Sequence, residues 1–148
     1  MKISDFLSPT DVMFDVAAAD KQELLLELAR NAGSKLDMPG DRIFSELIKR
    51  EELGSTGVGG GVAIPHARFQ QARKPFGMLV RLKKPMDYDA VDGKPVDIVF
   101  LLLLPETAGA EQLGALASIA RKLRDPAITA ALRRARDSAQ MYRTLTAD

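Results

Sequence analysis

The spacing of apolar and polar residues changes period along the chain, and this change predicts a mixture of helices and strands. Apolar residues three or four positions apart mark two early helices, one behind a capping sequence at residues 20–23 and one starting near residues 39–41. The first is expected to end at Gly33, a residue suited to the left-handed position after a helix. Compact apolar runs at residues 12–16 and 76–82 instead favour strands, the first of them at an edge of the sheet.

The second half of the chain combines one strongly apolar strand with several helices. Residues 98–104 show no polar alternation, which predicts a central strand covered on both faces. Asp125 and Asp137 are typical first residues of two later helices. A helix before them should turn one apolar stripe inward: Leu113, Leu116, Ala117, Ala120 and Leu123. Together these elements predict a single α/β domain over residues 1–148, a three-layer α/β/α arrangement with a small mixed sheet between helices.

Composition narrows the class of protein without identifying it. Hydrophobic residues make up 46% of the 148 residues and charged residues 28%, and the net charge of +1 gives no reason to expect nucleic acid as a partner. Because cysteine is absent, no disulfide framework, thiolate metal site or cysteine nucleophile is available. The longest apolar run falls well short of the roughly 20 residues that span a bilayer. We therefore expect a cytoplasmic protein without membrane insertion.

One segment departs from both patterns and holds the candidate chemistry. The glycine-rich segment, residues 53–66, contains five of the eleven glycines and the only histidine of the chain, His66. Glycines can take positive φ and let a ligand approach bare N–H groups. Ser55 and Thr56 add hydroxyl groups to this segment. Arg50 should lie on the last turn of the preceding helix, close to the same segment.

The glycine spacing does not match the common nucleotide-binding or nucleophile motifs. No lysine follows the glycines as in a P-loop, and Val62 stands where a dinucleotide fingerprint needs its third glycine. Gly54 directly precedes Ser55, so the nucleophile elbow of hydrolases is also absent. A single histidine without grouped carboxylates offers no metal site, and we expect neither a metal nor a cofactor.

Nucleophilic chemistry by His66 remains as the functional interpretation. An imidazole nitrogen can accept a phosphoryl group as a covalent intermediate. N–H groups, hydroxyls and guanidiniums can then neutralise the phosphoryl oxygens. Arg50, Ser55, Thr56 and Arg68 are the candidates for that second role. The residues alone also allow a plainer interpretation, in which His66 is an inert residue beside a flexible loop.

A longer stretch of sequence resembles a known family. Residues 50–66, REELGSTGVGGGVAIPH, closely resemble the active-site signature of IIA proteins of the bacterial phosphotransferase system. The likeness is to the mannitol/fructose superfamily and, within it, to the nitrogen-regulatory IIA branch. Residues 5–9, 85–96 and 116–123 resemble further landmarks of that family. The resemblance therefore extends over nearly the whole chain.

The resemblance implies a fold, a reaction and partners. The family fold is a mixed sheet flanked by helices, and its histidine takes a phosphoryl group from a phosphorylated HPr-type carrier. That histidine corresponds to His66 here, and the family's upstream arginine corresponds to Arg50. Ser55 and Thr56 occupy the positions of its hydroxyl residues, which makes all three candidates for phosphate binding. In the nitrogen-regulatory branch, the phosphorylated state is thought to control transporters, kinases or transcription, so a phosphotransferase component with a mainly regulatory role is expected.

Two departures and one alternative accompany the resemblance. Ala67 follows His66 where the family usually has glycine, a change that costs about 1 kcal/mol if the position requires positive φ. Many relatives also have a second histidine where Gly114 stands here. The alternative function is a sugar-specific, fructose- or mannitol-type IIA component that passes its phosphoryl group to a IIB partner. The lack of a fused domain and of any cysteine favours the regulatory function.

Overall fold

The computed structural model describes residues 1–107 and 109–147, apart from the side chains of residues 111 and 112. Within these residues, six strands form one sheet and five α-helices flank it. A 3-10 turn at Ile3–Asp5 precedes the first strand. The strands are β1 (Leu7–Val16), β2 (Gly57–Gly59), β3 (Val62–Ala63), β4 (His66–Phe69), β5 (Phe76–Met86) and β6 (Val96–Pro105). The helices are α1 (Lys21–Leu36), α2 (Gly40–Glu52), α3 (Ala110–Arg124), α4 (Pro126–Arg134) and α5 (Ser138–Thr146).

β6 is the centre of the sheet. β5 pairs with it in antiparallel fashion along one side, while β3 and β4 pair with it in parallel, one after the other, along the other side. β1 lies outside β5 as a parallel edge strand, and β2 forms a short antiparallel hairpin with β3. Because β6 is paired on both sides and buried on both faces, the predicted central strand is confirmed.

Two apolar cores lie on opposite faces of the sheet. On one face, side chains of α1 and α2 pack with the odd-numbered residues of β6: Leu24, Leu28, Leu47, Val99 and Leu101. On the other face, side chains of α3, α4 and α5 pack with its even-numbered residues: Ile119, Leu132, Met141, Phe100 and Leu102. Full burial of one such side chain stabilises a fold by roughly 1.5–3 kcal/mol. The predicted α/β/α arrangement is therefore confirmed, and each helical layer has its own core.

Three aspartates begin helices as the sequence predicts. Asp20, Asp125 and Asp137 each accept a hydrogen bond from a backbone N–H of the first helical turn, at 2.8, 2.9 and 2.8 Å respectively. Each bond satisfies an N–H that has no partner inside its helix. Among the described residues, no helix is long and apolar enough to cross a bilayer.

Gly33 does not end α1, contrary to the prediction. The helix continues to Leu36, and Asp37 takes the left-handed position after it, with φ 55°. Aspartate is one of the few residues that tolerate this conformation. Gly33 instead allows a close approach, since a Cβ there would lie 2.5 Å from the carbonyl oxygen of Met38. The glycine therefore serves packing after the helix rather than termination.

The inward face of α3 also differs from the predicted stripe. Ala115 and Ile119 are buried together with Leu123, whereas Leu113 is 44% exposed and Ala117 lies at the surface. The helix is apolar on more than one side, so its periodicity fits two faces almost equally well. Packing against β6 selects one of them, and this selection is a tertiary effect.

β1 and β5 are longer than the sequence suggests. β1 begins at Leu7 rather than near Val12, and β5 continues to Met86, beyond the predicted strand at residues 76–82. Pairing at the far ends, of Leu7 with Gly77 and of Met86 with Val96, includes these polar stretches in the strands, although the register shifts within each stretch. Asp92 and Gly93 lie in a turn between β5 and β6, with Gly93 at φ 73°.

Candidate active site

His66 lies on a strand rather than on the loop expected from the sequence. It is the first residue of β4 and pairs with Leu102 of the central strand, and the carbonyl of Pro65 accepts the N–H of Leu102 at 2.9 Å. Ala67 and Phe69 belong to the core under α1 and α2. Since side chains alternate along a strand, His66 and Arg68 point toward the opposite face. β4 has only four residues behind a proline, too few for a clear pattern in the sequence.

The imidazole of His66 has one nitrogen engaged and one open. Its Nδ1 lies 2.8 Å from the carbonyl oxygen of Ile64. A carbonyl can only accept a hydrogen bond, so Nδ1 is the nitrogen that donates. In the neutral ring, Nε2 therefore has no proton and keeps its lone pair. The half-buried ring is thus oriented with the lone pair of Nε2 unshared.

The surroundings of His66 favour the neutral ring. Burial, the largest effect, lowers the pKa of His66 below its ordinary value. The hydrogen bond to Ile64 and the carboxylate of Glu51 raise the pKa, while the guanidiniums of Arg50 and Arg68 lower it. Because the net change is downward, most molecules have an unprotonated Nε2 at neutral pH.

Arg50 lies on the last turn of α2, as predicted. Its Nη1 donates to the carbonyl oxygen of Gly54 at 2.8 Å, which ties the helix end to the glycine-rich segment. A guanidinium has five N–H donors, so this single bond leaves others for a ligand. Arg68 is exposed on β4, and its side chain forms no hydrogen bond or ion pair with another described residue. Two guanidiniums therefore lie close enough to His66 to influence its charge.

The structure brings Ser55 and Thr56 into the framework of the site with both hydroxyls already engaged. Ser55 Oγ donates to the carbonyl oxygen of Tyr88 at 3.2 Å and accepts the N–H of Gly57 at 3.0 Å. Thr56 is only 2% exposed, and its Oγ1 lies 2.6 and 2.7 Å from the two carboxylate oxygens of Glu51. To donate to a phosphoryl oxygen, either hydroxyl would have to leave its present acceptor.

The glycines form a turn between β2 and β3. Gly59, Gly60 and Gly61 have φ of 104°, 66° and 80°, a run that favours glycine at each position. The N–H of Gly60 donates to Asp92 at 3.0 Å, and its carbonyl accepts from Arg133 at 2.8 Å. The turn is therefore held by side chains of the protein and leads the chain back to His66.

The sequence reasoning did not identify Glu51, Tyr88 and Lys21 as part of the site. Glu51 and Tyr88 are buried beside Thr56, and Lys21 forms an ion pair with Glu51 at 3.3 Å. Glu51 follows Arg50 directly and reads as an ordinary carboxylate on a helix. Tyr88 was the one residue that could have drawn attention in the sequence, because it is aromatic and its polar neighbours favour a turn.

Ala67 and Gly114 differ from the family pattern without visible strain. Ala67 lies in β4 and is not among the described residues with positive φ, so alanine meets no left-handed penalty there. Its methyl group is part of the core. At Gly114, a Cβ would meet nothing within 4 Å, so a larger side chain would have room at this position of α3.

Comparison with known proteins identifies the family. The model of the family described as "Phosphoenolpyruvate-dependent sugar phosphotransferase system, EIIA 2" matches residues 5–148. The chain belongs to this family. The whole site described above, from Arg50 through His66 to Tyr88, lies inside the matched region of this EIIA chain.

Relatives and solved structures agree with this assignment. A nitrogen regulatory protein of Bradyrhizobium diazoefficiens is 44% identical over 145 residues, which cover 98% of this chain and 95% of the relative. A fructose-specific EIIA component of Haloferax volcanii is 38% identical over 101 residues, which cover 68% of this chain and 64% of the relative. The crystal structure of nitrogen regulatory protein IIA-Ntr from Neisseria meningitidis superposes with a TM-score of 0.92 at 33% identity, covering 97% of this chain and 99% of that one.

Proposed function

We propose that this EIIA protein accepts a phosphoryl group on Nε2 of His66 from a phosphorylated HPr-type carrier in the cytoplasm. The phosphorylated and unphosphorylated forms then act differently on partner proteins, as expected for a nitrogen-regulatory-type IIA protein. One observation supports the proposal above all others: Nδ1 of His66 donates to the carbonyl oxygen of Ile64 at 2.8 Å. This bond leaves Nε2 as the nitrogen with a free lone pair.

The chemistry follows from this orientation. The Nε2 lone pair forms the new N–P bond while the bond from phosphorus to its donor atom breaks, and the donor atom keeps that electron pair. Positive charge develops on the ring of His66 as the N–P bond forms. The Nδ1–H shares this charge with the carbonyl oxygen of Ile64, which is already in hydrogen-bonding position.

Arg50 and Arg68 are the proposed partners of the phosphoryl oxygens. A phosphoryl group brings about two negative charges, and both guanidiniums lie near the ring that would receive it. Arginine also presents paired N–H groups that match two oxygens of a phosphate. Ser55 and Thr56 remain proposed phosphate-binding residues, although a hydroxyl contact requires either of them to rearrange.

The regulatory role is supported by the relatives whose full length the chain matches. The Bradyrhizobium and Neisseria proteins both have nitrogen-regulatory names, and each is covered over at least 95% of its length. The fructose-specific relative from Haloferax supports the alternative, a sugar-specific IIA component that passes its phosphoryl group to a IIB partner. That match covers 64% of the relative, and for this reason we favour the regulatory role.

A direct test is phosphorylation of the purified protein. The wild type is incubated with phosphoenolpyruvate, an enzyme I and an HPr-type carrier, and its intact mass is measured. We expect the mass of one phosphoryl group to be gained by the wild type and not by His66→Ala. No gain in the wild type, under conditions that charge the carrier itself, would contradict the proposal. Onward transfer to a IIB protein would instead favour the sugar-specific alternative.

A further inference from the structure

The carboxylate of Glu51 is hydrogen-bonded to both the backbone and the side chain of Thr56 in the glycine-rich segment. Its carboxylate oxygens accept the backbone N–H of Thr56 at 2.9 and 3.1 Å and lie 2.6 and 2.7 Å from the Thr56 hydroxyl. The side chain of Glu51 is 6% exposed. A buried carboxylate is costly unless it is paired and hydrogen-bonded, and the ammonium of Lys21 at 3.3 Å supplies the opposite charge.

Tyr88 completes this buried cluster from the other side. It is 0% exposed, and its hydroxyl oxygen lies 3.0 Å from Thr56 Oγ1. Because Thr56 donates its only hydroxyl proton to Glu51, Tyr88 must be the donor in the second bond. The ammonium of Lys21 lies 4.4 Å from the centre of the Tyr88 ring, within range of a cation–π interaction. Thr56 is thus held by groups from α2 and from the segment between β5 and β6.

The hydrogen bonds continue from Thr56 to the imidazole. The carbonyl oxygen of Thr56 accepts the N–H of Ile64 at 2.9 Å. The carbonyl oxygen of Ile64 then accepts Nδ1–H of His66 at 2.8 Å. A chain of hydrogen bonds therefore runs from the carboxylate of Glu51, through the peptide groups of Thr56 and Ile64, to the ring of His66.

We propose that Glu51 is a positioning residue for phosphoryl acceptance, which acts through Thr56 and Ile64 to hold the His66 ring with Nδ1 bonded and Nε2 open. Hydrogen bonds in a buried chain strengthen one another, so fixing Thr56 at one end sharpens the orientation at the other. A small displacement of a reacting atom is enough to slow a reaction greatly. The kinetic consequence rests on the proposed function, whereas the orientation of the ring does not.

The first test measures which nitrogen of His66 is protonated. Since the chain has one histidine, an ¹⁵N NMR spectrum of the full protein contains a single imidazole. We expect the wild type to be protonated at Nδ1 and Glu51→Gln to show a mixture of both tautomers, because glutamine offers Thr56 one acceptor oxygen instead of two. Glu52→Gln is the matched control, since it removes the same charge from the neighbouring exposed residue. Unchanged tautomers in Glu51→Gln would overturn the proposal.

The second test measures single-turnover phosphoryl uptake over a range of concentrations of the phosphorylated carrier. In Glu51→Gln we expect the maximal rate to fall about tenfold, with the half-saturating carrier concentration unchanged. Partial unfolding would instead lower the fraction of protein that reacts and leave the rate of the folded fraction unaltered. Glu52→Gln should match the wild type in both quantities.

Tyr88→Phe keeps the test decisive if Glu51→Gln folds poorly. This variant retains the ring over which Lys21 lies and removes one hydrogen bond to Thr56. We therefore expect a smaller fall in the maximal rate of phosphoryl uptake, about twofold to threefold. Wild-type rates in every variant that folds would overturn the positioning role. If the wild type itself takes up no phosphoryl group, the proposed function fails, and the tautomer measurement still decides whether Glu51 orients the ring.

Discussion

The two halves of the glycine-rich segment are held in different ways. Residues 54–57 are attached to the interior, because Thr56 is buried against Glu51 and Ser55 bonds to the backbone of Tyr88. Residues 58–61 form a turn that is held at Gly60 by the exposed side chains of Arg133 and Asp92 and at Gly61 by backbone N–H groups of β6. We call these the inner half and the outer turn. Val58 in the outer turn is 53% exposed.

This difference separates two tasks within one sequence motif. The inner half connects to Ile64, and so to His66, through the bond from the N–H of Ile64 to the carbonyl oxygen of Thr56. The outer turn brings the chain around between β2 and β3, which requires positive φ rather than any particular side chain. A glycine-rich sequence beside a histidine therefore need not be a phosphate cradle over its whole length. Substitutions in the two halves should consequently differ in their effect on His66.

The largest contrast is expected between two arginines. Arg50→Gln should slow phosphoryl uptake by about 100-fold, because it removes a guanidinium that is proposed to stabilise the transferring group. Arg133→Gln should leave the uptake rate within about twofold of the wild type, since Arg133 serves the outer turn and an exposed ion pair with Asp97. Single-turnover uptake from the phosphorylated carrier measures both. Equal losses in the two variants would contradict the division of the segment.

Arg50→Lys adds a control at the arginine that donates to Gly54 of the inner half. Lysine keeps the positive charge and loses the planar pair of N–H groups. An intermediate rate would attribute part of the effect of Arg50 to charge and part to geometry. A wild-type rate would instead show that one positive charge near the ring is sufficient.

The second contrast exchanges side chains of nearly equal size between the halves. Thr56→Val should destabilise the fold by about 2 kcal/mol, because it removes the hydroxyl between Glu51 and Tyr88 and leaves buried polar groups without their partner. Val58→Thr should change stability by less than about 0.5 kcal/mol, since its side chain is largely exposed. Urea unfolding followed by circular dichroism gives both free energies. Similar values for the two variants would mean that burial does not distinguish the halves.

The sequence predicted the general architecture well, for physical reasons that can be named. The apolar run in β6 is long and unbroken, so only a doubly covered strand accommodates it. Asp125 and Asp137 begin helices because an aspartate cap acts locally and needs no tertiary partner. The inward face of α3 could not be chosen in this way, because the choice between Leu113 and Ile119 depends on packing against the sheet.

The site could be predicted only in part for the same reason. His66 and Arg50 stand out in the sequence because histidine occurs once and the arginine precedes a run of glycines. Tyr88 does not stand out, since its bonds are to residues 32 and 33 positions away. Glu51 does not stand out either, because its contact with nearby Thr56 matters only once both are buried with Lys21 and Tyr88. Long-range hydrogen bonds of this kind leave no periodic pattern in the sequence. The family resemblance points to His66 but not to the groups that we propose to orient it.

The smallest contrast is a difference in the pKa of His66, and it tests whether charges in the outer turn affect the ring. Burial and the two nearby guanidiniums lower this pKa, while Glu51 raises it. Glu51→Gln should therefore lower the pKa further, and Asp92→Asn, which removes a charge bonded to Gly60 of the outer turn, should leave it unchanged. An NMR titration of the single imidazole measures the wild type and both variants. If Asp92→Asn lowered the pKa of His66 as much as Glu51→Gln does, charges beside the outer turn would act on the ring as strongly as Glu51, contrary to the division of the segment.

The lowered pKa of His66 should make both the stability of the fold and the rate of phosphoryl uptake depend on pH. Because the folded state holds the pKa of His66 below its unfolded value near 6.5, protonation favours the unfolded state. The stability due to the neutral ring is thus fully present above pH 6.5 and is lost as pH falls toward the folded-state pKa. In urea unfolding at several pH values, the wild type should lose this part of its stability on acidification, whereas His66→Gln should not. Phosphoryl uptake should likewise decline on acidification with a midpoint below pH 6.5, since protonation occupies the Nε2 lone pair. A midpoint above pH 6.5 would require a different titrating group.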